Sequence, residues 1–121
     1  MLKVHRYTGP LNKTWYGEPT ELDDFNFDNL RLVEVDTAWY WYTCSGYEGS
    51  GQLLMRRDGR FHLHDMGHCS CNGPTDITIG KGFASLDGVR RSATDDLLED
   101  IEPLLKMAEE TLSREEGTRC H

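Results

Sequence analysis

Residues 62–71, HLHDMGHCSC, gather His62, His64, His68, Cys69 and Cys71 into the densest set of metal-ligating and nucleophilic side chains in the chain. His-x-His on an extended segment points both imidazoles to one face, with their backbones about 7 Å apart. Cys69 and Cys71 are spaced to aim two sulfurs the same way, and Gly67 lets the chain turn between the two pairs. Imidazole and thiolate together form the usual donor set of tetrahedral zinc. Zinc is therefore the expected metal, with His68, Cys69, Cys71, His62 and His64 as candidate ligands. Cys44 and the terminal Cys120 and His121 are distant donors. The same residues also suit a plainer account, ordinary strand histidines and small buried cysteines, because free cysteine is among the most buried residue types.

Thiol chemistry is a second reading of the cluster. Cys69 beside His68 has the composition of an activated nucleophile, although catalytic pairs are usually neighbours in space rather than in sequence. Cys69 and Cys71 could also close a strained local disulfide.

The elements that position these residues are legible in part. AWYWYTC at 38–44 is dense in aromatic β-formers. Its alternation places Trp39, Trp41 and Thr43 on one face and Tyr40, Tyr42 and Cys44 on the other, so one face is core and the second is either packed or an aromatic partner surface. SGYEGSG at 45–51 reads as a glycine-rich connection; it lacks the Lys-Ser/Thr pair and following helix of a phosphate loop. QLLMRRDGRFHLHDM predicts two strands, 52–57 and 60–66, around an Asp58-Gly59 type I′ turn. Phe61, Leu63 and Asp65 then share one face, and His62, His64 and Met66 the other.

Upstream, residues 1–30 predict an irregular segment with at most one helical turn that packs Phe25 and Phe27 onto the sheet, and RLVEV at 31–35 predicts the first strand. Downstream, a short strand is expected at 77–79, with Phe83 and Leu86 plugging the core. Residues 92–116 predict a helical segment capped by Ser92 or Thr94 and ended by Gly117. Its stripe of Leu97, Ile101, Leu104, Leu105, Ala108 and Leu112 faces the sheet, and Pro103 is expected to interrupt it. The expected architecture is one α+β domain over 1–121, with an antiparallel meander of four or five strands within 31–80 and the helical segment on one face.

At 121 residues the chain can bury roughly two-thirds of its unfolded surface. A net charge of −8 argues against a general phosphate-backbone binder and suits a basic partner surface. Arg56, Arg57, Arg60, Arg90 and Arg91 are read as solubilising turn flanks, which leaves nucleic acid a minor alternative. No stretch approaches about 18 consecutive apolar residues, and the N-terminus lacks the apolar region of a secretory signal. A cytoplasmic setting with reduced thiols is expected.

YEGSG (47–51), the strand pair through Asp58-Gly59 and GHCSCNG (67–73) together resemble a group of small uncharacterised phage and prophage proteins. That group is marked by a Tyr-Glu-Gly-Ser element, a short hairpin and a Gly-x-His-Cys-Ser-Cys-x-Gly motif before a helical end. In this chain Gly67 directly precedes His68, and Asn72 stands where an aromatic often follows the second cysteine. The likeness spans about residues 39–73 and carries no established activity. It implies that Tyr47, Glu48, Gly49, Ser50, His68, Cys69 and Cys71 act as one constellation.

Two functions are expected from these features. One is a phage-type accessory protein that binds or inhibits a host or phage macromolecule in the host cytoplasm, with a structural zinc at the His/Cys loop and a protein as partner. The other is a small enzyme or small-ligand protein using Cys69 and His68 with Glu48.

Overall fold

The computed structural model describes residues 2–11, 17–21, 27, 29–45, 48–67 and 81–119. Strands β1 (Lys3–Arg6), β2 (Thr37–Ser45), β3 (Glu48–Arg57) and β4 (Arg60–Asp65) form a sheet in the order β1-β2-β3-β4. Helical elements are α1 (Asn29–Leu32), α2 (Leu86–Ser92) and α3 (Asp95–Arg119). The architecture is α+β, and the sheet is mixed rather than an antiparallel meander, because β1 pairs parallel with β2.

That parallel strand lies inside the segment expected to be irregular. Lys3-Val4-His5-Arg6 has no apolar alternation; non-local pairing holds it instead. Lys3 donates its amide to the Asp36 carbonyl at 3.0 Å, and Tyr7 donates to Tyr40 at 2.7 Å. RLVEV, expected as a strand, is instead the end of α1 and a tight turn. The Val35 amide returns to the Leu30 carbonyl at 3.1 Å, and Glu34 closes the turn in the left-handed region at φ 63°. This geometry buries Leu30 and Val35 together and leaves Leu32 83% exposed, an arrangement that strand alternation would not produce.

The two central strands form as their residues dictate. Trp39 and Trp41 face α3 with Leu54 and Phe61, while Tyr40 and Tyr42 face the other side with Ala38, Leu53 and Met55. Both faces are packed, so the second aromatic face is core. Asp58 and Gly59 both adopt positive φ, 52° and 75°, as a type I′ turn requires. The supposed glycine connection is largely strand, since β3 already begins at Glu48 and pairs Gly49 with Cys44.

On the helical side, Ile101, Leu104, Leu105 and Ala108 are fully buried against the tryptophans, with Leu97 and Leu112 packed around them. Both indole N–H groups find acceptors on α3, Trp39 at Thr111 Oγ1 (3.2 Å) and Trp41 at the Asp100 carbonyl (2.6 Å). Thr94 caps α3 by accepting from the Leu97 amide. The sequence predicts a kink or a break at Pro103 and an end at Gly117; the helix runs unbroken through Pro103 and past Gly117. A mid-helix proline costs about 3 kcal/mol, and the buried residues on both sides of it, Ile101, Leu104 and Leu105, outweigh that by packing the turn in place. Residues 85–92, expected as loop and helix start, form α2 with Ser85 as its cap. Phe83 and Leu86 do pack against this core. Phe27 stacks obliquely on Tyr40 at 5.3 Å, as expected, whereas Phe25 and the strand expected at 77–79 lie outside the described residues.

Candidate functional site

β4 carries its residues in the expected alternation. Phe61 and Leu63 join the helix-covered core, and His62, His64 and Met66 lie on the opposite face with Met55 and Leu53 as cross-strand neighbours. The two histidines share that face but differ in surroundings. His62 is only 6% exposed. Its ring lies against Gly82, where an added Cβ would come within 2.6 Å of Cε1, and Gly82 takes φ 69°. Phe61 and Phe83 exchange backbone hydrogen bonds at 2.8 and 2.7 Å just beside it. Burial pushes the His62 pKa down, and the nearby Arg57 and Arg60 charges push it further the same way.

His64 is half-buried, and its Nε2 is buried without a hydrogen-bond partner among the described residues. Burial lowers its pKa, with Asp65 opposing the shift. A neutral imidazole with an unused ring nitrogen has the protonation state that metal ligation needs. His64 therefore fits a zinc ligand, and His62, closed in by Gly82, fits the plainer account of a packed core histidine.

Beyond His64 the strand leads to the second half of the motif. The Met66 amide donates to the Gly51 carbonyl at 3.0 Å. Gly67 donates to Asp65 Oδ1 at 2.8 Å, and its Cβ position would lie 3.9 Å from the Gly49 carbonyl oxygen. Gly51 has no room for a side chain, since a Cβ would meet the Trp41 carbonyl at 2.6 Å and Tyr42 at 3.2 Å. The backbone of residues 49–51 thus lies against Met66 and Gly67, the last described residues before the His/Cys loop. Cys44, a free exposed cysteine opposite Gly49, belongs to the same end of the sheet.

His68, Cys69, Cys71, Tyr47, Cys120 and His121 lie outside the described residues, and of Glu48 only the strand position is described. Among the described residues, no group of three or more His, Cys, Asp or Glu side chains is disposed to hold a metal ion. The arginines divide. Arg56 bridges Asp36 (2.7 Å) and Glu115 (3.3 Å). Arg60 caps the Lys81 and Gly82 carbonyls, and Arg90 pairs with Asp87, Glu102 and Glu109. Three of the five are thus engaged within the fold. Sequence reasoning missed Gly51 and Gly82 as positioning residues; for Gly51 a glycine inside a strand is the signal that marks close backbone approach, whereas Gly82 lies outside the strands.

Comparison of the chain with known protein families, curated proteins and solved structures finds no match. Among the described residues, no helix is long and apolar enough to cross a membrane.

Proposed function

We propose that the chain is a phage-type accessory protein that binds a host or phage macromolecule through the sheet end where residues 48–51 meet the His/Cys loop. The observation that supports this reading is the Met66–Gly51 hydrogen bond of 3.0 Å, which ties residue 51 to the end of β4 that leads into the His/Cys loop. A strand end held by backbone contacts makes a platform for presenting a loop. A structural zinc would be held by His68, Cys69 and Cys71 with His64, whose unpartnered Nε2 supports the assignment; such a metal would fix the loop without a labile position. The acidic chain meets a basic protein surface in the host cytoplasm.

Elemental analysis of untagged protein beside a Cys69→Ser/Cys71→Ser variant tests the metal. The expected result is stoichiometric zinc that disappears in the variant together with thermal stability. Four titratable thiols and no metal would discard the zinc and turn attention to Cys69 reactivity near Glu48. Partner capture from host lysate, repeated with the purified partner, tests the binding role. Equal capture by wild type and variant would remove the loop from the interface.

A further inference from the structure

The opposite edge of the sheet carries a second feature. β1 is an edge strand, and its alternation is fixed by the bonds from Lys3 and Tyr7 to β2. Odd-numbered amides therefore point inward, and the N–H and C=O groups of Val4 and Arg6 point outward. Neither has a backbone partner on that side among the described residues. Val4 is 38% exposed, and Lys3 and Arg6 are exposed.

Beside this edge lies a groove of about 400 Å³ between β1 and α3, lined by Lys3, His5, Met107, Glu110, Thr111 and Arg114. Its histidine is held in place, with the His5 ring stacked on Trp39 at 6.1 Å and 17°. The Trp39 indole is itself tied to Thr111. His5 Nε2 is buried with no hydrogen-bond partner among the described residues. Glu115, also on the groove wall, is committed to Arg56. The charge of the edge strand itself runs against the rest of the molecule, although Glu110 stands on the α3 side of the groove: residues 1–11 contain Lys3 and Arg6 and no carboxylate, on a chain of net charge −8.

We infer that the β1 edge binds an extended acidic peptide segment of a partner protein by strand addition. Val4 and Arg6 supply two backbone donors and two acceptors, as strand addition requires. A carboxylate on the groove-facing side of the added strand reaches the Lys3 and His5 side chains. A second copy of this chain is the poorer occupant, because the antiparallel register that pairs Val4 with Arg6 sets each Arg6 diagonal to its own copy, and like charges within reach across a strand pair destabilise it. This surface is separate from the His/Cys loop and does not depend on it.

The probe is a capped seven-residue peptide of alternating Glu and Val, with alternating Lys and Val as control, titrated against the full chain at low salt. The expected result is saturable binding of the acidic peptide at least about tenfold tighter than the basic one, with hydrogen-exchange protection gained at the Val4 and Arg6 amides. Lys3→Glu/Arg6→Glu, a change of two exposed side chains, is expected to reverse the preference. Val4→Pro removes one outward donor at an edge position that tolerates proline and should weaken binding without altering the preference. His5→Phe keeps the stack on Trp39 and should weaken only the acidic peptide. Equal binding of both peptides, or no added protection at Val4 and Arg6, overturns the proposal and leaves the two basic residues as guards against edge-to-edge association.

Discussion

The two faces of the sheet are equally dry and differently built. On one, Trp39, Trp41 and Leu54 meet a single long helix whose apolar residues recur at helical spacing. On the other, Tyr40, Leu53 and Met55 are covered by Leu30, Val35 and Phe27 from short irregular segments, and His62 and His64 sit among them. A regular helix transmits any loss of packing along its length, whereas short independent pieces can shift to fill a gap. The helical face therefore carries the stability. The irregular face can hold histidines, glycines and the approach to the His/Cys loop, whose positions are set by backbone contacts rather than by a continuous core.

The sharpest way to break this contrast is a pair of matched truncations. Leu104 and Leu53 are both fully buried, one under α3 and one under the irregular cover. Leu→Ala in a core costs about 2–5 kcal/mol, with the spread set by how well the site collapses. Leu104→Ala should lie at the upper end and Leu53→Ala at the lower end in urea unfolding. Equal costs would show that the second face is as rigid as the first. Next in size is Gly51→Ala, which forces a methyl into the Trp41 carbonyl. Overpacking of this kind costs about 1–3 kcal/mol. The accompanying loss of exchange protection at the Met66 amide should be local, and protection lost across α3 instead would deny the two faces their independence.

What the chain announced in advance follows the same division. The aromatic alternation of β2, the Asp58-Gly59 turn and the stripe from Leu97 to Leu112 were legible because each is a local pattern with one low-energy answer. β1 was not, since Lys3–Arg6 owes its strand conformation to a partner more than thirty residues away. RLVEV misleads because β-branched composition favours a strand, while burial of Leu30 with Val35 and the left-handed Glu34 decide for a turn. Pro103 misleads for a related reason: its local cost is real, and tertiary packing on both sides exceeds it. The His/Cys cluster was visible as a composition, but His62 and His64 could be told apart only by their neighbours, Gly82 for one and an unpaired ring nitrogen for the other.

The histidines give the irregular face a pH dependence of its own. Burial lowers the pKa of both below the ordinary value of 6.5. The unfolded chain then binds more protons than the folded one between 6.5 and the depressed values, so stability rises with pH across that window. It is fully present above 6.5 and is lost as the pH falls from there toward the folded pKa values. Melting temperature should therefore fall between pH 7.5 and pH 5.5. His62→Phe and His64→Phe should each flatten the slope, and an unchanged slope in the double variant would place the acid sensitivity elsewhere.

The smallest effect is expected where the helical face looks most electrostatic. Arg90 on α2 reaches Glu102 at 3.1 Å and Glu109 at 2.8 Å on α3, as well as Asp87 at 3.4 Å. These are partly exposed pairs, and such pairs contribute at most about 1 kcal/mol, less in high salt. Val89, the neighbouring residue, is 1% exposed within the core under α3. Arg90→Ala should accordingly cost less than Val89→Ala, and the gap should widen as salt is added. If Arg90→Ala matched the Leu104→Ala loss instead, the α2–α3 junction would be an ionic clamp, and burial alone would no longer account for the firmness of the helical face.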